Sequence, residues 1–194
     1  DLAIKENNRY TFRHFFTKTF GQRRTRAIIE DSNGWIWVGN SDGVYVFSPD
    51  SLQADPQNYL TYNYNNGKLR SNEIKCIYQD TQNRIWIGSS GGGLSMCIPG
   101  TDYRNLTFKH YGTSNGLVND MVQAIAEDKQ GNLWIATEYG ISRFNPETQA
   151  FDNYFFSAYT LGNVYSDNSS CVSKNGSLLF GTNYGLLVIN PEQM

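Results

Sequence analysis

One phrase is written three times along this chain and a fourth time in worn form, and no other feature constrains the fold as much. The copies read IIEDSNGWIWVGNSDGVYVFSP, IYQDTQNRIWIGSSGGGLSMCIP, IAEDKQGNLWIATEYGISRFNP and VSKNGSLLFGTNYGLLVINP. A period inside one chain means that one supersecondary unit is reused and stacked on itself. Asp31, Asp80, Asp128 and Ser173 share one slot, so successive copies are offset by 49, 48 and 45 residues. After that slot come Gly or Asn (Gly34, Asn83, Gly131, Gly176) and then Trp or Leu (Trp37, Trp86, Trp134, Leu179). A small residue follows (Gly39, Gly88, Ala136, Gly181), and then Gly43, Gly92, Gly140 and Gly185. Pro49, Pro99, Pro146 and Pro191 close the unit, Pro99 one residue late. A period in the forties, built from short apolar runs and Gly turns, matches a four-stranded propeller blade. Two-helix repeats of this length would show apolar residues at 3.6 spacing and few β-branched residues, the opposite of what is written here.

Each copy predicts three strands. The first runs through 26–30, 74–79, 122–127 and 169–172, and the second through 35–39, 85–88, 133–137 and 178–181. The third runs through 44–47, 94–98, 141–144 and 186–189. An Asp-x-x-Gly or Asp-x-x-Asn turn joins the first two, since Asp bonds the backbone and Gly supplies positive φ. Proline ends the third because it cannot donate to a ladder. A fourth strand carries Phe-x-x-Tyr or a relative of it: Tyr59 with Tyr62, Phe108 with Tyr111, Phe151 with Tyr154. Phe12 with Phe15 form a further pair that precedes the first copy. The middle strands are apolar on both sides, as in Ile36, Trp37 and Val38, which requires burial on both faces. The Trp therefore reads as a packing wedge between blades, and the Gly or Ala after it leaves room near a narrow axis.

The expected fold class is all-β, a β-propeller of four-stranded antiparallel blades, about four of them. A single region, 1–194, would hold blades at about 21–64, 70–112, 118–156 and 165–194. An extra outer strand at 10–16 is left over. It would complete the last blade and close a four-blade ring, or else the chain is an open arc, a fragment of a larger propeller. An arc would leave two apolar blade faces uncovered, which invites pairing with another chain.

The chemistry of the chain is sparse. Net charge is −2 and the short cluster Arg23, Arg24, Arg26 is the main basic one, so no nucleic-acid partner is expected. No apolar run approaches the roughly 18 residues of a membrane span, so no membrane contact by this segment is expected. No leader begins the chain, so any signal peptide lies outside it or has been removed. Cys97 takes the place of Phe47 and Phe144, and Cys76 that of Ala27 and Ala124, which predicts buried thiols. His14 and His110 hold the same outer-strand slot and are not spaced for zinc, so neither a metal nor a cofactor is expected. Asp31, Asp80 and Asp128 recur at a turn, which makes them turn builders before catalysts. No nucleophile elbow, phosphate loop or calcium loop occurs, and no catalytic residue is expected.

The copies differ in their loops. Strands alternate in direction, so the loops between the second and third strands share a face with those leading from one blade to the next. The first set is 40–42, 89–91, 137–139 and 182–184, and the second is 17–25, 64–73, 112–121 and 157–168. Variable loops on a repeated scaffold usually carry function. The expected ligand-binding residues on that face are Asn40, Asp42, Glu138, Tyr139, Asn183 and Tyr184, with Arg70 and Arg24. Amphipathic Tyr beside amides and hydroxyls suits a neutral polar ligand such as a glycan, or a protein surface.

Residues 116–146, GLVNDMVQAIAEDKQGNLWIATEYGISRFNP, strongly resemble the two-component regulator propeller repeat, and 77–99 and 28–49 resemble it nearly as well. The last copy departs from it at Ser173 and Leu179. The resemblance implies the periplasmic sensor region of a hybrid two-component histidine kinase in an inner-membrane receptor. In such receptors two seven-bladed propellers precede a β-sandwich, a membrane helix and the kinase, and the signal switches on polysaccharide utilisation. It further implies an oligosaccharide ligand, a homodimer, and the rest of the receptor chain as partners. No ligand residue carries over, because ligand positions are not part of the repeat motif. Two other readings stand beside it: an interaction propeller that mediates receptor assembly, and a lyase of the streptogramin lyase type. The lyase would need His and acidic groups converging on a metal at the ring centre.

Overall fold

The computed structural model describes residues 2–13, 23–51, 58–156 and 165–194. Seventeen β-strands run through them. A hairpin comes first, β1 (Leu2–Glu6) with β2 (Arg9–Arg13). Asn7 and Asn8 turn it with φ of 49° and 62°, the positive-φ pair that a two-residue hairpin of this twist demands. Three four-stranded antiparallel sheets follow. The first is β3 (Ala27–Glu30), β4 (Ile36–Asn40), β5 (Gly43–Phe47) and β6 (Leu60–Tyr62). The second is β7 (Ile74–Gln79), β8 (Ile85–Ser89), β9 (Gly93–Cys97) and β10 (Lys109–Tyr111). The third is β11 (Val122–Glu127), β12 (Leu133–Thr137), β13 (Ile141–Asn145) and β14 (Ala150–Tyr154). A three-stranded sheet ends the chain: β15 (Tyr165–Val172), β16 (Leu178–Thr182) and β17 (Gly185–Ile189). In every sheet the strands pair in the order of the sequence, the meander expected of a blade.

The four-blade ring is not formed. The leading strand pairs with Leu2–Glu6 rather than with β17, and the sheets remain open. The Asn-Asn turn explains this, because it supplies β2 with a partner from its own neighbourhood. Residues 14–16 of the expected outer strand, with His14 and Phe15, lie outside the described residues.

The sheets stack through three apolar interfaces. Ala27, Trp37, Val44 and Val46 of the first meet Ile74, Ile77, Ile85 and Ile87 of the second. Cys76, Trp86 and Leu94 meet Val122, Ile125, Leu133 and Phe144. Ala124, Trp134 and Ile141 meet Tyr165, Leu178 and Phe180. Trp37, Trp86 and Trp134 are each fully buried within one of these interfaces, as a wedge should be. The small residue after it has a steric cause. A Cβ at Gly39 would stand 2.7 Å from Ile74 Cγ2, and one at Gly88 would stand 2.5 Å from Val122 Cγ1 and closer still to Cys76 Sγ. The innermost strand of the next blade occupies that space. Burial pushes the Cys76 thiol up to about 12, as befits an apolar core position. Cys97 is buried as well, whereas Cys171 is exposed.

One slot moves by a residue. Gly43 pairs with Asn40 and lies against the Tyr62 carbonyl; in the second sheet Gly93 pairs with Ser89 and lies against the Tyr111 carbonyl. Gly93, at φ +68°, thus takes the place expected for Gly92, and the late Pro99 records the same insertion.

Candidate functional site

The repeated Asp does more than turn the chain. Asp31 Oδ1 accepts from the backbone N–H of Asn33 (2.9 Å) and Trp35 (3.0 Å), while Oδ2 accepts from Trp37 Nε1 at 2.8 Å. Asp80 holds Gln82, Arg84 and Trp86 in the same way, the indole at 2.7 Å. Asp128 holds Gln130, Asn132 and Trp134, the indole at 2.9 Å. A buried carboxylate is tolerable only when its lone pairs are filled, and the turn and the wedge fill them together. In the fourth copy Asp and Trp are lost together: Ser173 Oγ bonds the Ser177 carbonyl at 2.9 Å and Leu179 needs no acceptor.

The third partner of each Asp differs. Asp80 Oδ2 takes Arg84 Nε at 2.5 Å and Asp128 takes the amide of Asn132 at 3.1 Å. Asp31 takes the hydroxyl of Tyr103 at 2.7 Å, from the next blade. Tyr103 sits in a 3-10 turn, Tyr103–Asn105, within the connection between β9 and β10. The third sheet crosses the equivalent point in a few residues, 146–149. The longer connection reaches back over the first blade. Trp35 stacks on Tyr103 with centroids 4.0 Å apart and planes 6° from parallel. Asn33 Nδ2 donates to the Tyr103 hydroxyl at 3.0 Å, and Tyr62 donates to the Tyr103 carbonyl. Burial and the neighbouring Asp31 hold the Tyr103 hydroxyl protonated well above its usual range.

Beside this clamp lies a cleft of about 300 Å³, lined among others by Trp35, Tyr59, Ser48, Thr101, Asp102 and Arg104. It is on the side of the Asp turns, opposite the variable-loop face, where no binding residue was expected. The visible signal is the long spacing from Pro99 to Phe108 in the second copy and from Pro49 to Tyr59 in the first, against the short one from Pro146 to Phe151 in the third.

On the variable-loop face, no hydrogen bond or ion pair among the described residues joins expected residues of different copies. Asn40 is fully buried, 0% exposed, and its Oδ1 accepts from Asp42 N at 2.7 Å, so it shapes its own turn. Asp42 accepts from Tyr45 at 2.8 Å and pairs with Arg23. Glu138 accepts from Gln123 Nε2 at 3.1 Å. Tyr139 and Tyr184 are 61% and 64% exposed, the former edge-on to Phe155. Asn183, Arg24 and Arg70 are exposed, and Arg70, with burial as the larger cause, depresses the His110 pKa. His110 itself sits on the outer strand β10, 2.9 Å from Ser95 Oγ.

What does gather there was not expected. The ladders of β7 and β11 slip at Lys75 and Gln123, an extra residue just before the small core positions Cys76 and Ala124. Arg26 stands equally before Ala27. Lys75 Nζ lies 3.3 Å from Asp167 of β15, and Arg26 pairs with Glu73 at 2.6 Å. Arg26 Nε is also 3.1 Å from Asp167 Oδ2, an ion pair without hydrogen-bond alignment. The first, second and fourth sheets thus meet through charges near the axis. A polar residue that interrupts an apolar strand and changes from copy to copy (Arg, Lys, Gln) is the signal in the sequence.

A family model described as a two-component regulator propeller matches residues 20–42, 68–91 and 116–139. A curated relative, Histidine kinase P4 of Formosa agariphila, is 23% identical over 171 residues, which are 88% of this chain and 12% of that protein. The extracellular domain of a putative hybrid two-component system from B. thetaiotaomicron superposes with a TM-score of 0.78 at 28% identity, covering 95% of this chain and 24% of its own. The extracellular domain of a putative one-component system from the same organism gives 0.74 at 23%, covering 97% and 26%. A catalytically inactive virginiamycin B lyase from Staphylococcus aureus gives 0.65 at 13%, covering 90% and 55%, and shares the fold alone. The chain spans about an eighth of the curated relative and a quarter of the first two solved domains. Residues 20–42, 68–91 and 116–139, each built on the same Asp–Trp pair between stacked blades, are matched as two-component regulator propeller repeats.

Proposed function

We propose that this chain is part of the periplasmic ligand-sensing region of a hybrid two-component histidine kinase in the inner membrane. The segment itself is non-catalytic. It binds a fragment of a polysaccharide and passes the signal through a homodimer to the rest of the receptor chain. The observation that carries this reading is the likeness, along 95% of the chain, to the extracellular domain of a putative hybrid two-component system. A ligand can transmit only by favouring one of two arrangements, so the oligosaccharide must bind one dimer geometry more tightly than the other. Calorimetric titration of the full chain with maltohexaose, cellohexaose, mannohexaose and xylohexaose tests it. Saturable heat with at least one is expected; a flat response to all four, extended to acidic and sulfated oligosaccharides, overturns it.

A second reading, a propeller that serves receptor assembly, draws support from the fourth sheet. Leu186 and Val188 on β17 are 60% and 56% exposed, on a strand whose counterparts in the other sheets are mostly buried. Light scattering in which Leu186→Ser with Val188→Ser disrupts self-association, while saccharide binding is absent, would favour it.

A further inference from the structure

We infer that the cleft beside the Trp35–Tyr103 stack is a binding site for one sugar ring of an uncharged oligosaccharide, on the face opposite the variable loops. The inference rests on the sensing reading above and assigns it an address.

Three observations converge on this cleft. Its size, about 300 Å³, is at the lower end of small-ligand sites and suits a single ring with its neighbours running out to solvent. Its wall is aromatic and held in place. Trp35 is part-exposed, and it is backed by Tyr103, whose hydroxyl is tied to Asp31 and Asn33 and whose carbonyl is tied to Tyr62. Lys68 Nζ fixes the far end of the same connection through the Leu106 carbonyl at 3.0 Å. A platform that does not reorganise on binding saves the ordering cost that weakens most saccharide sites. Tyr59 adds a second ring to the lining.

The polar groups complete the chemistry. Asp102 is exposed, and its carboxyl is held below the usual range by Asn105 Nδ2 (2.7 Å) and by the Arg104 N–H (3.0 Å), so it stays ionised and accepts. The Arg104 guanidinium makes no hydrogen bond or ion pair among the described residues, which leaves its five donors for a ligand. An acceptor and a fork of donors beside aromatic faces recognise a ring that carries vicinal hydroxyls on its edge and C–H groups on its face. The Asp102 carboxylate and the Arg104 guanidinium, the two charged side chains of the lining, offset each other, hence the assignment to an uncharged ring. The connection that supplies these groups, 98–108, has no counterpart of that length in the third blade, and the blade itself does not need it.

The test uses the full chain with the same four neutral hexasaccharides. Trp37, Trp86 and Trp134 are fully buried, so of the four Trp the indole of Trp35 dominates quenching by iodide. A saccharide in the cleft shields it, and quenching falls as binding saturates. Asp102→Asn keeps the turn cap and removes the charge, and Arg104→Gln keeps the stem and removes the fork. Each is expected to weaken binding about 10- to 100-fold, while Tyr139→Ala with Tyr184→Ala on the other face leaves it within about twofold. Unchanged affinity in both cleft variants, or binding lost in the Tyr pair instead, overturns the site and leaves the sensing reading standing. No binding of any saccharide to the unaltered chain overturns both.

Discussion

At the scale of single residues, the repeat is a device for burying a carboxylate. Asp128 lies in a turn, 5% exposed, and spends one oxygen on the backbone and the other on the Trp134 indole and the Asn132 amide. Loss of the carboxylate leaves the indole N–H buried and unsatisfied, and loss of the indole leaves Oδ2 with the Asn132 amide alone among its close hydrogen-bond donors. The fourth copy shows what remains when both go: a hydroxyl in the turn and a Leu at the interface. Asp128→Ser and Trp134→Leu are therefore expected to couple. Each alone should cost about 2–4 kcal/mol, and the double variant should cost less than their sum by about 1 kcal/mol or more. Urea unfolding of the four proteins gives the cycle; additive losses would show that the carboxylate does not depend on the indole.

At the scale of elements, the position after the Trp sets how closely two blades approach. Gly88 faces Cys76 and Val122, with no room for a Cβ, whereas Ala136 in the third sheet already fits its methyl at the next interface. The two positions are homologous, yet each should lose stability on taking the other's residue, and by different amounts. Gly88→Ala would force β8 away from the second interface and is expected to destabilise by about 1–3 kcal/mol. Ala136→Gly removes only one methyl and its burial, about 1 kcal/mol including the backbone freedom gained by the unfolded chain. Thermal unfolding of both variants decides it, and equal losses would contradict a steric origin. The clamp at 98–108 belongs to this scale as well. It couples one blade's loop to its neighbour's Asp turn, through Tyr103 and Asp31.

At the scale of the whole molecule, four sheets stack in series without closing, so stability should grade along the array. The third sheet is covered on both faces, and β12 is buried throughout. The fourth has three strands, with β17 largely exposed. Amide hydrogen exchange of this span is expected to release Leu178–Thr182 before Leu133–Thr137, with protection differing by about 100-fold or more. Equal protection in the two strands would mean that the blades unfold as one unit. The charges of Arg26, Glu73, Lys75 and Asp167 tie the first, second and fourth sheets near the axis, which limits how far the fourth can swing.

The blades, their strands and the Trp wedge could all be read from the chain, because each follows from local alternation and turn chemistry repeated at a fixed interval. The third strands and their Gly turns were legible within a residue, and Gly93 for Gly92 is the measure of that slip. The leading hairpin was only half visible: β2 was marked by Phe12, while its partner depends on Asn7 and Asn8, a turn with no copy elsewhere to align against. Of the loop residues expected to bind a ligand, Asn40 proved to be buried, because exposure depends on which neighbour covers a turn. Tertiary structure alone decided the rest: the bond of Asp to Trp six residues on, the meeting of Arg26 and Lys75 with Asp167, the clamp of Tyr103 on Asp31, and the cleft beside it. A strand's character is written in its own few residues. A site is made by side chains that stand far apart in sequence and meet only once the blades have stacked, as Asp31 with Tyr103, 72 residues on, and Arg26 with Asp167, 141 residues on, do.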